Sequence, residues 1–179
     1  MRRCVVVLAA LSWMSSVGVQ ADVIESSDHG FVTRNEVTVE APARAVYQAL
    51  TQVARWWNPD HSFFGDAGNL VLEARAGGCF CERLPDGRSV EHLRVVHVVP
   101  NAELRLVGGL GPLQEMAVNG VMVWRLTENE GRTTITLHYS VGGYRPGGLG
   151  ELAEPVDGVL LEQLTRLKAH IDTLQRVAR

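Results

Sequence analysis

The sequence predicts an α+β domain, an antiparallel sheet with one face covered by a long C-terminal helix. Two observations carry this. Between Leu70 and Val141 short apolar-rich runs follow one another with only turn residues and one longer connection between them. Strands so close in sequence pair antiparallel, because a parallel pair needs a long crossover. Leu152, Val156, Leu160, Leu164, Leu167, Ile171, Leu174 and Ala178 then recur at helical spacing as one apolar stripe. With 179 residues, 46% of them apolar, the chain can build one sizeable core.

Residues 1–21 stand apart. Arg2 and Arg3 give a basic start, "CVVVLAAL" an apolar run, and Val19-Gln20-Ala21 a small-residue ending, the layout of a cleaved secretory signal. The run is too short to span a bilayer as a helix. This predicts a mature protein starting at Asp22, in the periplasm or the medium, with no membrane insertion after cleavage. It would carry 15 basic and 20 acidic residues, a net charge of −5. Such a balance gives no nucleic-acid surface and no attraction to anionic membranes.

Asp22–Gly30 is polar and reads as a flexible leader to a domain spanning 31–179. "FVTRNEVTVEAP" alternates, with Val37 and Val39 on one face, as a half-buried strand does. Pro42 opens a helix that Val46, Leu50, Val53 and Trp57 continue, up to Asn58-Pro59. Six strands are predicted next, within "NLVLEAR", "CFCERL", "SVEHLRVVHVV", "ELRLVG", "VMVWRLTE" and "TTITLHYSV". "GLGPLQEMAVNG" is a longer connection with room for one helical turn. In the final helix Glu151, Glu154, Asp157 and Glu162 crowd the start and Arg166, Lys168, Arg176 and Arg179 the end, matching the helix dipole. Pro155 and Gly158 are expected to kink or restart it.

This element order, together with "ARWWNPDHSFFGDAGNL", "GGCFCERLPDGRSVEHLRVV" and "GGLGPLQEMAVNG", resembles the SRPBCC (START-like, helix-grip) superfamily over about residues 31–177. Within it, the chain looks most like the bacterial subgroup related to the activator of heat-shock-chaperone ATPase and to polyketide cyclases. The resemblance implies a curved sheet wrapped around the final helix, with an internal cavity that often holds an apolar ligand.

"LPDGR" favours a type I turn with a glycine bulge. Leu84 then pairs with Arg88, Glu82 with Val90, Cys81 with Glu91, Phe80 with His92 and Cys79 with Leu93. On that register Cys79, Cys81, Arg83, Glu91 and Leu93 share one face, and Phe80, Glu82, Val90, His92 and Arg94 the other. Glu82 diagonal to His92 is the candidate catalytic pair, for acid–base work. The alternative is a solvated charged face, and Glu91 is the competing cavity acid. Cys79 and Cys81, two rises apart on an extended strand at about 6.6–6.8 Å, are too far apart and too parallel for a disulfide. They are predicted to be free buried thiols, with Cys81 touching the cavity.

No metal or cofactor is expected: paired C-x-x-C, H-E-x-x-H, the phosphate loop and the G-x-S-x-G elbow are all missing. Aromatic residues supply the other cavity candidates. Trp57, Phe64 and Tyr144 would rim its mouth, Trp124 and Tyr139 would line it from the last strands, and Leu160 and Leu164 from the helix. The function expected is binding of a small, mostly apolar molecule or lipid. A cyclase or aromatase-like enzyme is the second reading. A co-chaperone is the third, at odds with an exported chain.

Overall fold

The computed structural model describes residues 20–177. Most of the expected signal peptide therefore lies outside the described residues, as does Ala178 of the helical stripe. The elements run β1 (Gln20–Ser27), β2 (Gly30–Val39), α1 (Ala43–Thr51), β3 (Leu70–Leu72), β4 (Cys79–Arg83), β5 (Ser89–Val99), β6 (Glu103–Val107), β7 (Ala117–Asn129), β8 (Arg132–Tyr144) and α2 (Ala153–Val177). All eight strands form one antiparallel sheet in the order β1-β2-β8-β7-β6-β5-β4-β3. The sheet curves around α2, the helix-grip architecture.

The core lies in the hollow of the sheet. Phe31, Val37 and Val39 of β2, Ile135, Leu137 and Tyr139 of β8, and Leu104 and Leu106 of β6 are all at most 2% exposed. Against them α2 lays Leu160, Leu164, Leu167 and Ile171, each at most 1% exposed. Strand alternation and helical periodicity thus meet in one dry layer.

Four expectations need correction. The polar segment from Asp22 is no leader, since β1 pairs with β2 from Gln20↔Glu36 to Ser27↔Gly30. An edge strand is held by its backbone ladder, so it does not need the apolar alternation that marks the inner strands. α1 stops at Thr51 and gives way to a 3-10 turn over Val53–Arg55. Leaving the helix early lets Trp56 fold back, its indole N–H donating to Ala49 O at 3.1 Å, so that both tryptophans are buried. α2 is continuous through Pro155 and Gly158. Pro155 lies in its first turn, where a backbone N–H has no intrahelical partner to lose.

The fourth concerns the cysteines. Cys79 and Cys81 are joined in a disulfide with 5.5 Å between their Cα atoms, so the expectation of free thiols fails. The strand pairing beside them is irregular. The glycine-bulged turn holds, with Gly87 at φ 91° and Leu84 N–H bonded to Arg88 O. The register runs as expected through Glu82↔Val90 and Cys81↔Glu91, then slips to Phe80↔Leu93 and Cys79↔Arg94. β5 has one residue more than β4 at that point, His92. Opposite that extra residue, the Cα atoms of Cys79 and Cys81 lie 5.5 Å apart in β4, closer than the two extended rises that would keep the sulfur atoms apart.

Candidate functional site

The same bulge builds the site. His92 and Leu93 are adjacent and both buried, and across the slip in register Leu93 pairs with Phe80 while His92 meets Glu82. Leu93 therefore leaves the face expected for it, and Arg94 is on the exposed side. Glu82 is 0% exposed; it accepts Phe63 N–H at 2.7 Å and Phe64 N–H at 3.1 Å, and it is hydrogen-bonded to His92 Nε2 at 2.8 Å. The pair expected from the hairpin register is thus a direct contact inside the protein and not a solvated face. Burial holds the His92 pKa below the usual histidine value, and the Glu82 carboxylate opposes that only in part.

The loop between α1 and β3 is fastened to two elements at once. Glu82 holds it to β4. From α2, Gln163 accepts Asn58 N–H at 2.8 Å, Glu162 accepts the Asn58 amide at 2.6 Å and meets His61 Nε2 at 3.0 Å, and Arg166 donates to Trp56 O at 2.9 Å. Between this loop, the Leu110–Met116 connection and the first turns of α2 lies a cavity of about 430 Å³. Its walls are mostly apolar, among them Trp57, Phe63, Leu113, Val156, Val159 and Leu160, and His92 is part of the lining. Tyr139 braces the far wall: its hydroxyl donates to Gly108 O at 2.9 Å and accepts Leu110 N–H at 3.0 Å, and burial pushes its pKa up to about 12. Gly120 makes room for that ring, because a Cβ there would sit 2.4 Å from it.

Of the cavity residues expected from sequence, Trp57 and Leu160 line the cavity. The others lie elsewhere, for identifiable reasons. Phe64 is half-buried under the Arg88 guanidinium, 5.3 Å from its ring, and its neighbour Phe63, 47% exposed, takes its place at the cavity's rim. Cys81 is tied to Cys79 on the outer face of the sheet, and Glu91 is exposed and paired with Arg94 at 2.7 Å. Trp124 packs against Trp56 at 6.1 Å between ring centroids, away from the cavity. Tyr139 acts from behind the wall, Tyr144 is 70% exposed at the end of β8, and Leu164 is solid core. The sequence reading missed Phe63, Leu113, Met116 and Val159. Only the apolar tone of "HSFFG" and "GPLQEM" hinted at the first three, since loop residues carry no periodicity, and Val159 lies on α2 beside the apolar stripe.

A second buried polar contact was also missed. Asn35 Nδ2 of β2 donates to Asp157 Oδ1 of α2 at 2.6 Å, and burial raises the Asp157 pKa. Asp157 had looked like one more acid at a helix start.

No protein-family model matches the chain, and no curated protein sequence does either. Solved structures do. DynU16, from the dynemicin biosynthetic locus, is 24% identical with a TM-score of 0.56, over 79% of this chain and 47% of its own. This chain thus spans about half of DynU16. Protein MLL2253 from Mesorhizobium loti is 17% identical with a TM-score of 0.56, over 79% of this chain and 97% of its own. A protein from Rhodobacter sphaeroides is 17% identical with a TM-score of 0.55, over 89% of this chain and 100% of its own. At these identities the likeness is one of fold, and function has to be argued from the site.

Proposed function

We propose that this protein binds a small, mostly apolar molecule in the cavity between the start of α2 and the loop that Glu82 pins. The observation that carries the reading is the cavity itself: about 430 Å³, walled by apolar side chains, with one buried histidine in its lining. Its size lies within the range of small-molecule sites, and its composition is theirs too, apolar walls with few polar groups. Affinity would come from apolar surface removed from water, at about 25 cal/mol per Å² before the costs of association. The kinship we favour is with the SRPBCC subgroup that includes polyketide cyclases, and the setting is outside the cytoplasm, in keeping with the signal-like N-terminus.

Native mass spectrometry of protein purified from its own host tests this. The expected result is a retained apolar compound that is lost when Val159→Trp fills the cavity. A protein that retains no compound, and takes up none when offered host lipid extract, would remove the reading.

One observation favours a second reading. His92 and Glu82 form a histidine–carboxylate pair in the cavity wall, the arrangement needed to move a proton on a bound substrate. A cyclase or aromatase-like enzyme would use it so, and chemical change of the retained compound on incubation would favour that role over storage.

A further inference from the structure

Cys79 and Cys81 are bonded to each other across a single residue of β4. Phe80 between them packs into the apolar core, so the two sulfur atoms are on the opposite, outer face of the sheet. The bridge is not a staple between segments. β4 already pairs with β3 on one side and β5 on the other, and a bond closing so short a loop restrains the unfolded chain less than a longer one would. Charged groups surround it. The Arg83 guanidinium is held by its Nη1, which donates to Glu73 at 2.9 Å, and its Nη2 donates to Cys79 Sγ at 3.3 Å. Glu91 lies opposite Cys81 in the register, with a carboxylate oxygen within 4.8 Å of both sulfur atoms. Arg94, opposite Cys79, pairs with Glu91 at 2.7 Å. The cysteines are buried, but the side chains of Arg83 and Glu91 beside them are 51% and 45% exposed.

We propose that Cys79–Cys81 is a redox-active bridge that accepts two electrons from an external dithiol, a role that does not depend on the cavity. A thiolate of the dithiol attacks Cys81 Sγ, the bond between the cysteines breaks, and Cys79 leaves with the electron pair as a thiolate beside Arg83. The second thiol of the dithiol, as its thiolate, attacks the dithiol's own sulfur in the mixed disulfide and releases Cys81. The dithiol ends as a disulfide, and its two protons pass to the cysteines or to water. Arg83 sets the direction, because a cation against a sulfur lowers the pKa of that thiol, and a thiol of lower pKa leaves faster. The two nearby carboxylates each face an arginine, Glu73 with Arg83 and Glu91 with Arg94. The hydrogen bond from Arg83 Nη2 is therefore the contact that distinguishes Cys79 from Cys81.

Timed reduction of the whole native protein by dithiothreitol at neutral pH, quenched with acid, alkylated and read by mass, tests this. Reduction is expected to go to completion while tryptophan fluorescence stays native, and to run roughly threefold more slowly in Arg83→Gln. A pH profile separates the chemistry from loosened packing. In Cys81→Ser, the remaining Cys79 should react with iodoacetamide with a pKa below the ordinary thiol value of about 8.5. In Cys79→Ser, the remaining Cys81 should show no such lowering, and adding Arg83→Gln to Cys81→Ser should restore the ordinary value. A bridge that yields to dithiothreitol only when the protein unfolds, or a Cys79 profile that Arg83→Gln leaves unchanged, would overturn the proposal. So would stoichiometric zinc held by the reduced protein against a chelator, which would make Cys79, Cys81 and Glu91 a metal site instead.

Discussion

Along α2, the stretch from Gln163 to Ile171 and the stretch from Ala153 to Leu160 face different interiors. In the first, Gln163, Leu164, Leu167 and Ile171 are each at most 1% exposed, packed with no room to spare. In the second, Val156 and Val159 look into a cavity of about 430 Å³, and Asp157 is sunk beside Asn35. The two stretches belong to one continuous helix with one apolar stripe. What differs is the opposing wall. The C-terminal stretch meets side chains that close on it, while the N-terminal stretch meets a loop held at a distance by Glu82. Leaving apolar surface unpacked forgoes stability, and here the forgone contacts leave the cavity open.

The largest expected effect tests this contrast directly. Leu164→Ala should destabilise the protein by about 2–5 kcal/mol, because it opens a void in a packed core. Val156→Ala, already facing space, should cost about 1 kcal/mol or less. Guanidinium denaturation of both variants measures this, and equal costs would mean that the cavity is closed in solution.

A middle-sized effect is expected at the pin. Glu82→Gln keeps the shape but puts an amide NH2 where two backbone N–H groups and His92 Nε2 converge, and should cost about 1–3 kcal/mol. Amide hydrogen exchange should speed up at Phe63 and Phe64 and remain unchanged in β8. No local change in exchange would show that the loop is held by α2 alone.

The smallest effect is a pH dependence. His92 binds its proton less readily folded than unfolded, so its contribution to stability is complete above the unfolded value of about 6.5 and is lost as pH falls toward the lower folded one. Burial depresses His138 and His170 in the same direction, so the His92 share is read as wild type minus His92→Gln. Stability curves of the two proteins that stay parallel from pH 7 to pH 5 would show His92 to be as solvated as in the unfolded chain.

Legibility followed periodicity. β2 and α2 could be read because Phe31 through Val39 alternate and Leu160 through Ile171 repeat at helical spacing, and burial imposes those patterns. A turn type placed Glu82 and Cys81 in register with β5, and that register was right as far as Glu91. It failed one residue later. A bulge leaves no mark in composition, and one extra residue at His92 moved Leu93 inward, while β4 beside it holds the Cα atoms of Cys79 and Cys81 5.5 Å apart. The loop residues of the cavity wall were unreadable because their burial depends on what the loop is tied to.

By itself the sequence determined the class of fold, the antiparallel order of the inner strands and the docking face of the last helix. Those follow from local spacing, since a side chain's direction repeats every two residues in a strand and every 3.6 in a helix. Only the tertiary structure decided that Cys79 and Cys81 are bonded, that β1 closes one edge of the sheet, and that His92 turns one nitrogen to Glu82 and keeps the other unpaired. Each of these depends on a contact between segments distant in sequence or on a break in the strand's regular count, and neither is written in the spacing of neighbouring residues.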